Sequence, residues 1–242
     1  MANVLNYHRP KSLDAALALL QRSQPTQVLG GGSHLVPSLT GDPTDVVDLQ
    51  SLGLRGIGED GAMLNLGSMS TFADLGACAQ LPAGVRDLAL REAPSTLRTL
   101  ATVGGLVASG DADSELLAAF LVMSATVTVV GADGRRSAPL AEVLVSGVAN
   151  GEIIVAVTLD PSMTVISART VRTGMDRAIV AVVGARTPDG TLRLAVTGAA
   201  STPVMMTDPT VLKPPSDFRG SAEYRLRLAA VLGARVRAAL GS

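Results

Sequence analysis

The residues best placed to do chemistry in this chain lie in and beside two glycine turns. Leu29-Gly30-Gly31-Gly32-Ser33-His34-Leu35 follows a short apolar run, Thr26 to Leu29. Consecutive glycines let the backbone turn several N–H groups toward one point, and without a Cβ a negatively charged pyrophosphate can approach closely. Ser33 adds a hydroxyl donor. A tight strand-to-helix turn would use the same residues. Neither a dinucleotide fingerprint nor a nucleophile elbow is met, because Leu35 stands where each requires glycine. The second turn, Ala101-Thr102-Val103-Gly104-Gly105, has the same two readings, backbone cradle or packing turn. Ten residues on, Glu115 opens a helix, where a carboxylate favours the positive end of the dipole. A first-turn Glu facing solvent would look the same. His34 has no evident carboxylate partner for general-base work, and Cys78 reads as a buried, inert thiol.

Composition narrows what these turns can serve. The 242 residues carry 20 Lys and Arg against 21 Asp and Glu, so no net field draws the chain to nucleic acid or anionic lipid. Its only rings are Phe72, Phe120, Phe218, Tyr7 and Tyr224, too few to stack single-stranded bases. One cysteine and two histidines, His8 and His34, cannot build a tetrahedral zinc site or a four-thiolate cluster alone. Any redox metal must therefore sit on another chain. The lone thiol suits a reducing compartment, and Met1 to Pro10 has no apolar core of a secretory signal, so a cytoplasmic location is expected. The 17 uncharged residues from Leu116 to Ala132 invite comparison with a membrane span. Ser124, Thr126, Thr128, the acidic flank at Asp111, Asp113 and Glu115, and a change of period midway argue against insertion.

The elements that must position the turns follow from periodicity. Pro10 and Ser12 precede Leu13, Ala16, Leu17 and Leu20, the signature of a capped amphipathic helix. Thr26 to Leu29 and Asp45 to Leu49 read as short strands. Met63 to Gly67 alternates as a strand, and Thr71 with Asp74 starts a helix in capping-box style. Helices are expected over Ala83 to Glu92 and around Leu116, Leu117, Phe120 and Leu121. Thr126 to Val130, the Asp133-Gly134 turn and Ile153 to Leu159 suggest antiparallel strands. Beyond Pro161, strands are expected at Met163 to Val171, Ala178 to Val183 and Leu192 to Thr197, the last two joined by Pro188-Asp189-Gly190. A helix from Glu223 to Leu240 closes the pattern.

Taken in order, these segments resemble the FAD-binding medium subunit of the molybdenum hydroxylases, the family of carbon monoxide dehydrogenase and xanthine dehydrogenase. The resemblance rests on YHRPKSLDAALALL at Tyr7 to Leu20, LGGGSHLVPSL at Leu29 to Leu39, LNLGSMSTFADL at Leu64 to Leu75, TLRTLATVGGLVASGDADSELLAAFLVMSATV at Thr96 to Val127, and GSAEYRLRLAAVL near the C-terminus. It implies an α+β protein. Residues 1–161 would form a two-subdomain α/β FAD-binding domain, PCMH-type and vanillyl-alcohol-oxidase-like, divided near 1–54 and 55–161. Residues 162–242 would form a C-terminal domain with a three-stranded antiparallel sheet and a helical bundle.

The same resemblance assigns roles. Leu29, Gly30, Gly31, Gly32, Ser33, His34 and Leu35 would cradle the FAD pyrophosphate, and Thr102, Val103, Gly104 and Gly105 would make a second backbone contact. Thr71 joins this set. Glu115 falls where the family has an Asp that holds the cofactor, Ile154 near an apolar flavin contact, and Arg169 where a Lys lies beside the ring. The implied function is electron transfer from iron–sulfur clusters of a partner to an external acceptor. The implied partners are a molybdopterin-containing large subunit and a [2Fe-2S] small subunit, assembled as a dimer of heterotrimers. Leu106, Thr99 and Leu100 replace polar family residues, and Glu115 is longer than Asp. These departures leave a structural subunit with weakened or lost FAD binding as the alternative. On the cradle reading, Gly31→Val should abolish FAD binding and leave the fold intact.

Overall fold

The computed structural model describes residues 3–173 and 176–241. The first region contains β1 (Val4–His8), α1 (Leu13–Leu20), β2 (Thr26–Leu29), α2 (Leu35–Ser38) and β3 (Thr44–Asp48). Its three strands form a parallel sheet in the order β1-β3-β2. Ser12 starts α1 by accepting the Ala15 N–H at 3.2 Å, the expected cap. β3 is buried along its whole length. It nevertheless carries two aspartates, which hold because each is hydrogen-bonded. Asp45 accepts from Asn6 at 2.8 Å and from Arg22 at 3.0 Å, and the Tyr7 hydroxyl donates to Asp48.

The second region contains β4 (Ile57–Asp60), β5 (Met63–Gly67), α3 (Phe72–Ala77), α4 (Ala83–Glu92), α5 (Ser95–Arg98), α6 (Val103–Ser109), α7 (Glu115–Val122), β6 (Thr126–Gly131), β7 (Gly134–Pro139), α8 (Leu140–Ser146) and β8 (Ile153–Leu159). Its sheet is antiparallel in the order β4-β5-β8-β6-β7. The expected capping box is present at α3: Thr71 Oγ1 accepts the Asp74 N–H, and Asp74 accepts the Thr71 N–H. Thr102 to Gly105, expected as a turn, instead opens α6, with Thr102 Oγ1 accepting the Gly105 N–H at 3.2 Å.

The third region contains β9 (Thr164–Thr170), β10 (Val180–Arg186), β11 (Leu192–Thr197), β12 (Val204–Met205) and α9 (Ala222–Gly241). Its antiparallel sheet runs β12-β11-β10-β9, so the two-residue β12 adds a fourth strand to the expected three. Where a helical bundle was expected, the 20-residue α9 packs on one face of the sheet and the eight-residue α7 of the second region on the other. Val180 and Val182 pack with α9, whereas Val183, Ala185 and Ala195 join the core around α7.

α7 is buried at all eight of its positions. The uncharged stretch beginning at Leu116 is thus the helix at the centre of the main core, followed by the buried strand β6. No helix among the described residues is long and apolar enough to cross a membrane. The main core cluster also crosses residue 161, because α7 packs on the third region's sheet.

Candidate functional site

A cleft of about 1030 Å³ opens where the loop between β2 and α2 meets α5, α6 and the start of α7. Gly30, Gly31, Gly32, Ser33, His34 and Leu35 line it from the first region. Thr102, Gly104, Gly105, Glu115 and Ile154 line it from the second, and Arg169 reaches it from β9. Sequence positions far apart are therefore brought to one cavity.

The two glycine segments touch. A Cβ on Gly31 would stand 1.5 Å from the Leu100 carbonyl oxygen, and one on Gly30 would stand 2.9 Å from Thr102 Oγ1. Gly104 likewise lies against Ser68, with 2.9 Å between its would-be Cβ and the Ser68 Cβ. Gly32 has φ +75°, a left-handed conformation that favours glycine. Much of the need for glycine thus comes from loop packing on loop, so Gly31→Val cannot leave the fold untouched as expected above.

The main-chain donors divide between the two segments. Among the described residues, the N–H groups of Gly31, Gly32, Ser33 and His34 find no protein acceptor. At α6 the donors are already used: Val103 N–H goes to the Ser70 carbonyl at 2.9 Å, and Gly104 N–H to the Ser68 carbonyl at 2.7 Å. Gly105 N–H goes to Thr102 Oγ1. The first segment can offer a row of amides to an anion, and the second braces it.

Three expected site residues lie outside the cleft lining. Leu29 ends β2, and its carbonyl accepts from Leu49. Thr71 spends its side chain on the α3 cap. Val103 is fully buried in the main core. Of the departures from the family pattern, Leu106 is buried in that core with an edge on the cleft, whereas Thr99 and Leu100 are exposed.

At the end of the cleft formed by α4 and α7, charge is organised in pairs. Glu115 is buried and bridges two cations, Arg169 at 3.0 Å and Arg91 at 3.4 Å. Arg177 pairs with Asp111 at 2.5 Å and Glu92 at 3.9 Å, and Arg219 with Asp113 at 2.7 Å. Glu92 also accepts the Leu116 N–H at 3.0 Å, filling a donor at the start of α7. Burial pushes the Glu92 carboxyl above its ordinary value, against the opposing hydrogen bonds from Ser114 and Leu116. Arg169, Arg177 and Arg219 thereby tie the third region to the second across the cleft wall.

Sequence reasoning missed Arg91, Glu92, Arg98, Asp111 and Arg177, all of which line the cleft. The position of Arg91 and Glu92 at the end of an expected helix was visible. Their partners were not, because Arg177 and Asp111 lie 66 positions apart and Arg169 and Glu115 lie 54 apart.

Comparison with known proteins identifies what this arrangement is similar to. The family described as the FAD binding domain in molybdopterin dehydrogenase matches residues 3–161. The carbon monoxide dehydrogenase medium chain of Afipia carboxidovorans is 28% identical over 269 aligned residues, covering 94% of this chain and 93% of that one. The nicotine 6-hydroxylase medium subunit of Paenarthrobacter nicotinovorans is 29% identical over 143 residues, 55% of this chain and 50% of that subunit. A chain of the Cu,Mo-CO dehydrogenase crystal structure, in its cyanide-inactivated form, superposes with a TM-score of 0.87 at 26% identity, covering 97% of this chain and 96% of that one.

Proposed function

Because the chain belongs to the family of FAD binding domains in molybdopterin dehydrogenases, we propose that it is the electron-transfer subunit of a multi-subunit molybdenum hydroxylase. It accepts electrons from the iron–sulfur clusters of a partner and passes them to an external acceptor. The observation that carries this reading is the row of unpartnered amides from Gly31 to His34 in the cleft. A pyrophosphate supplies acceptors for such donors, so the residues present fit FAD.

Bound FAD would supply the redox chemistry; the protein supplies binding, orientation and electrostatics. Gly31, Gly32, Ser33 and His34 would hold the pyrophosphate by their N–H groups, and Gly30 lets the first segment rest on Thr102. Gly104 and Gly105 keep the start of α6 close behind it. Ile154, buried on β8, offers an apolar surface to the ring system. Arg169, oriented by Glu115 at 3.0 Å, lines the cleft and would offer a cation to negative charge on that ring.

The division of the chain at residue 161 belongs to the same proposal. It is supported by the end of the family match and by the change from the β8 sheet to the β9 sheet. So do the partners: a molybdopterin-containing large subunit and a [2Fe-2S] small subunit, in a dimer of heterotrimers in the cytoplasm. The medium-chain and medium-subunit names of the relatives support a heteromeric assembly. Affinity purification of the full chain from its native host tests this. Recovery with a molybdenum-bearing large chain and an iron-bearing small chain is expected. A chain that purifies alone and turns over a substrate without either metal contradicts it.

A further inference from the structure

Charge accounting in the cleft singles out one cation. Six carboxylates line it, Glu92, Asp111, Asp113, Glu115, Glu152 and Asp176, against four arginines, Arg91, Arg98, Arg169 and Arg177. Five of the carboxylates are matched by arginines, in part from beyond the lining. Glu115 pairs with Arg91 and Arg169, Glu92 and Asp111 with Arg177, Asp113 with Arg219, and Glu152 with Arg136 at 2.8 Å. Asp176 accepts the Thr173 N–H and sits beside Arg169, which donates to its carbonyl. Among the described residues, Arg98 is the one arginine lining the cleft that has no carboxylate partner.

Its placement is built rather than loose. Arg98 ends α5 and is half-buried, and its Nε donates to the Ala93 carbonyl at 2.8 Å, which anchors the guanidinium on a residue that also lines the cleft. The terminal nitrogens make no hydrogen bond to the described residues. Two residues further on, the Leu100 carbonyl abuts Gly31, so the backbone carrying this charge is the backbone that supports the first glycine segment. A diphosphate entering a wall whose other arginines are already paired, and which also carries the Asp176 carboxylate, needs a further cation, and guanidinium meets phosphate oxygens with paired donors.

We propose that Arg98 is the charged contact for the diphosphate of the dinucleotide held in this cleft, and that it sets the cleft's selectivity for a diphosphate over an uncharged nucleoside. The assignment rests on the FAD reading above and adds a residue to it. The amides favour the anion through charge-assisted hydrogen bonds, and Arg98 adds a full positive charge to that preference.

The test is FAD titration, by quenching of flavin fluorescence, of the full chain and of Arg98→Gln and Arg98→Lys, with ADP and adenosine as competitors. Arg98→Gln should weaken FAD and ADP by about 10- to 100-fold, the scale of losing a charge-assisted hydrogen bond, and leave adenosine unchanged. Arg98→Lys should recover part of the loss, and raising the ionic strength should weaken FAD binding to the native chain more than to Arg98→Gln. FAD binding within about two-fold of native in Arg98→Gln, or equal weakening of ADP and adenosine, would overturn the assignment and leave the flavin reading standing. If the native chain takes up no FAD, the flavin reading falls, and the role of Arg98 falls with it.

Discussion

Replacing Gly31 with alanine separates the two explanations for the triple glycine. The added Cβ would lie 1.5 Å from the Leu100 carbonyl oxygen, and the obstacle is main chain, which cannot swing aside like a side chain. Overpacking typically costs about 1–3 kcal/mol, and a backbone obstacle belongs at the upper end, about 3 kcal/mol. At this chain length each kcal/mol lowers the midpoint by about 2–4 °C, so a fall of roughly 6–12 °C is expected. Gly41→Ala is the control, since its Cβ would meet nothing within 4 Å and its φ is not left-handed. Thermal unfolding by circular dichroism, read with FAD uptake, is the assay. The account expects Gly31→Ala to lose both stability and flavin, and Gly41→Ala to lose neither. A native melting temperature for Gly31→Ala would refute the docking of the two loops. If flavin were lost all the same, the glycine would be needed for ligand approach.

Other consequences concern the charged core. Arg225 is fully buried, with Nη1 donating to the Ile179 and Gly198 carbonyls and Nη2 to both Asp217 oxygens at 2.8 Å; Arg225→Ala should cost about 3–5 kcal/mol in urea unfolding. The same guanidinium brings the Asp217 carboxyl down to about 2 from 3.8. A depressed carboxyl stabilises the fold above its unfolded value, so this contribution should be complete above about 4 and lost as pH falls through about 2, by acid titration of the folded chain and of Asp217→Asn. Glu92 has the opposite sign. Burial raises its carboxyl above 4.5, so the native state holds a proton that the unfolded chain has released, and stability should decline as pH rises from 4.5 through the raised value. Glu92→Gln should flatten that decline in denaturant unfolding measured across the same range.

How far the sequence revealed this structure varied with the physical signal. The Thr71 and Asp74 capping box, α1 and β5 were legible because caps and periodicity are local. β1 carried no such signal: it is an edge strand, and only His8 is not exposed, so alternation is absent. α6 was concealed by Gly104 and Gly105, poor helix formers, although Thr102 caps it and Ser68 leaves no room for a larger residue at 104. The cleft residues on the glycine segments could be found from type and spacing. Arg91, Arg98 and Arg177 could not, since their place in the cleft depends on tertiary contacts that no short window contains. At the first glycine turn the two readings are compatible: packing explains Gly31, and the unpartnered amides leave the same segment able to serve as the proposed anion cradle.

The most direct measurement is the visible spectrum of the purified full chain after incubation with FAD and gel filtration. Flavin absorption bands co-eluting with the protein in equimolar amount are the predicted result. Protein emerging without flavin bands would contradict the claim that this cleft holds FAD.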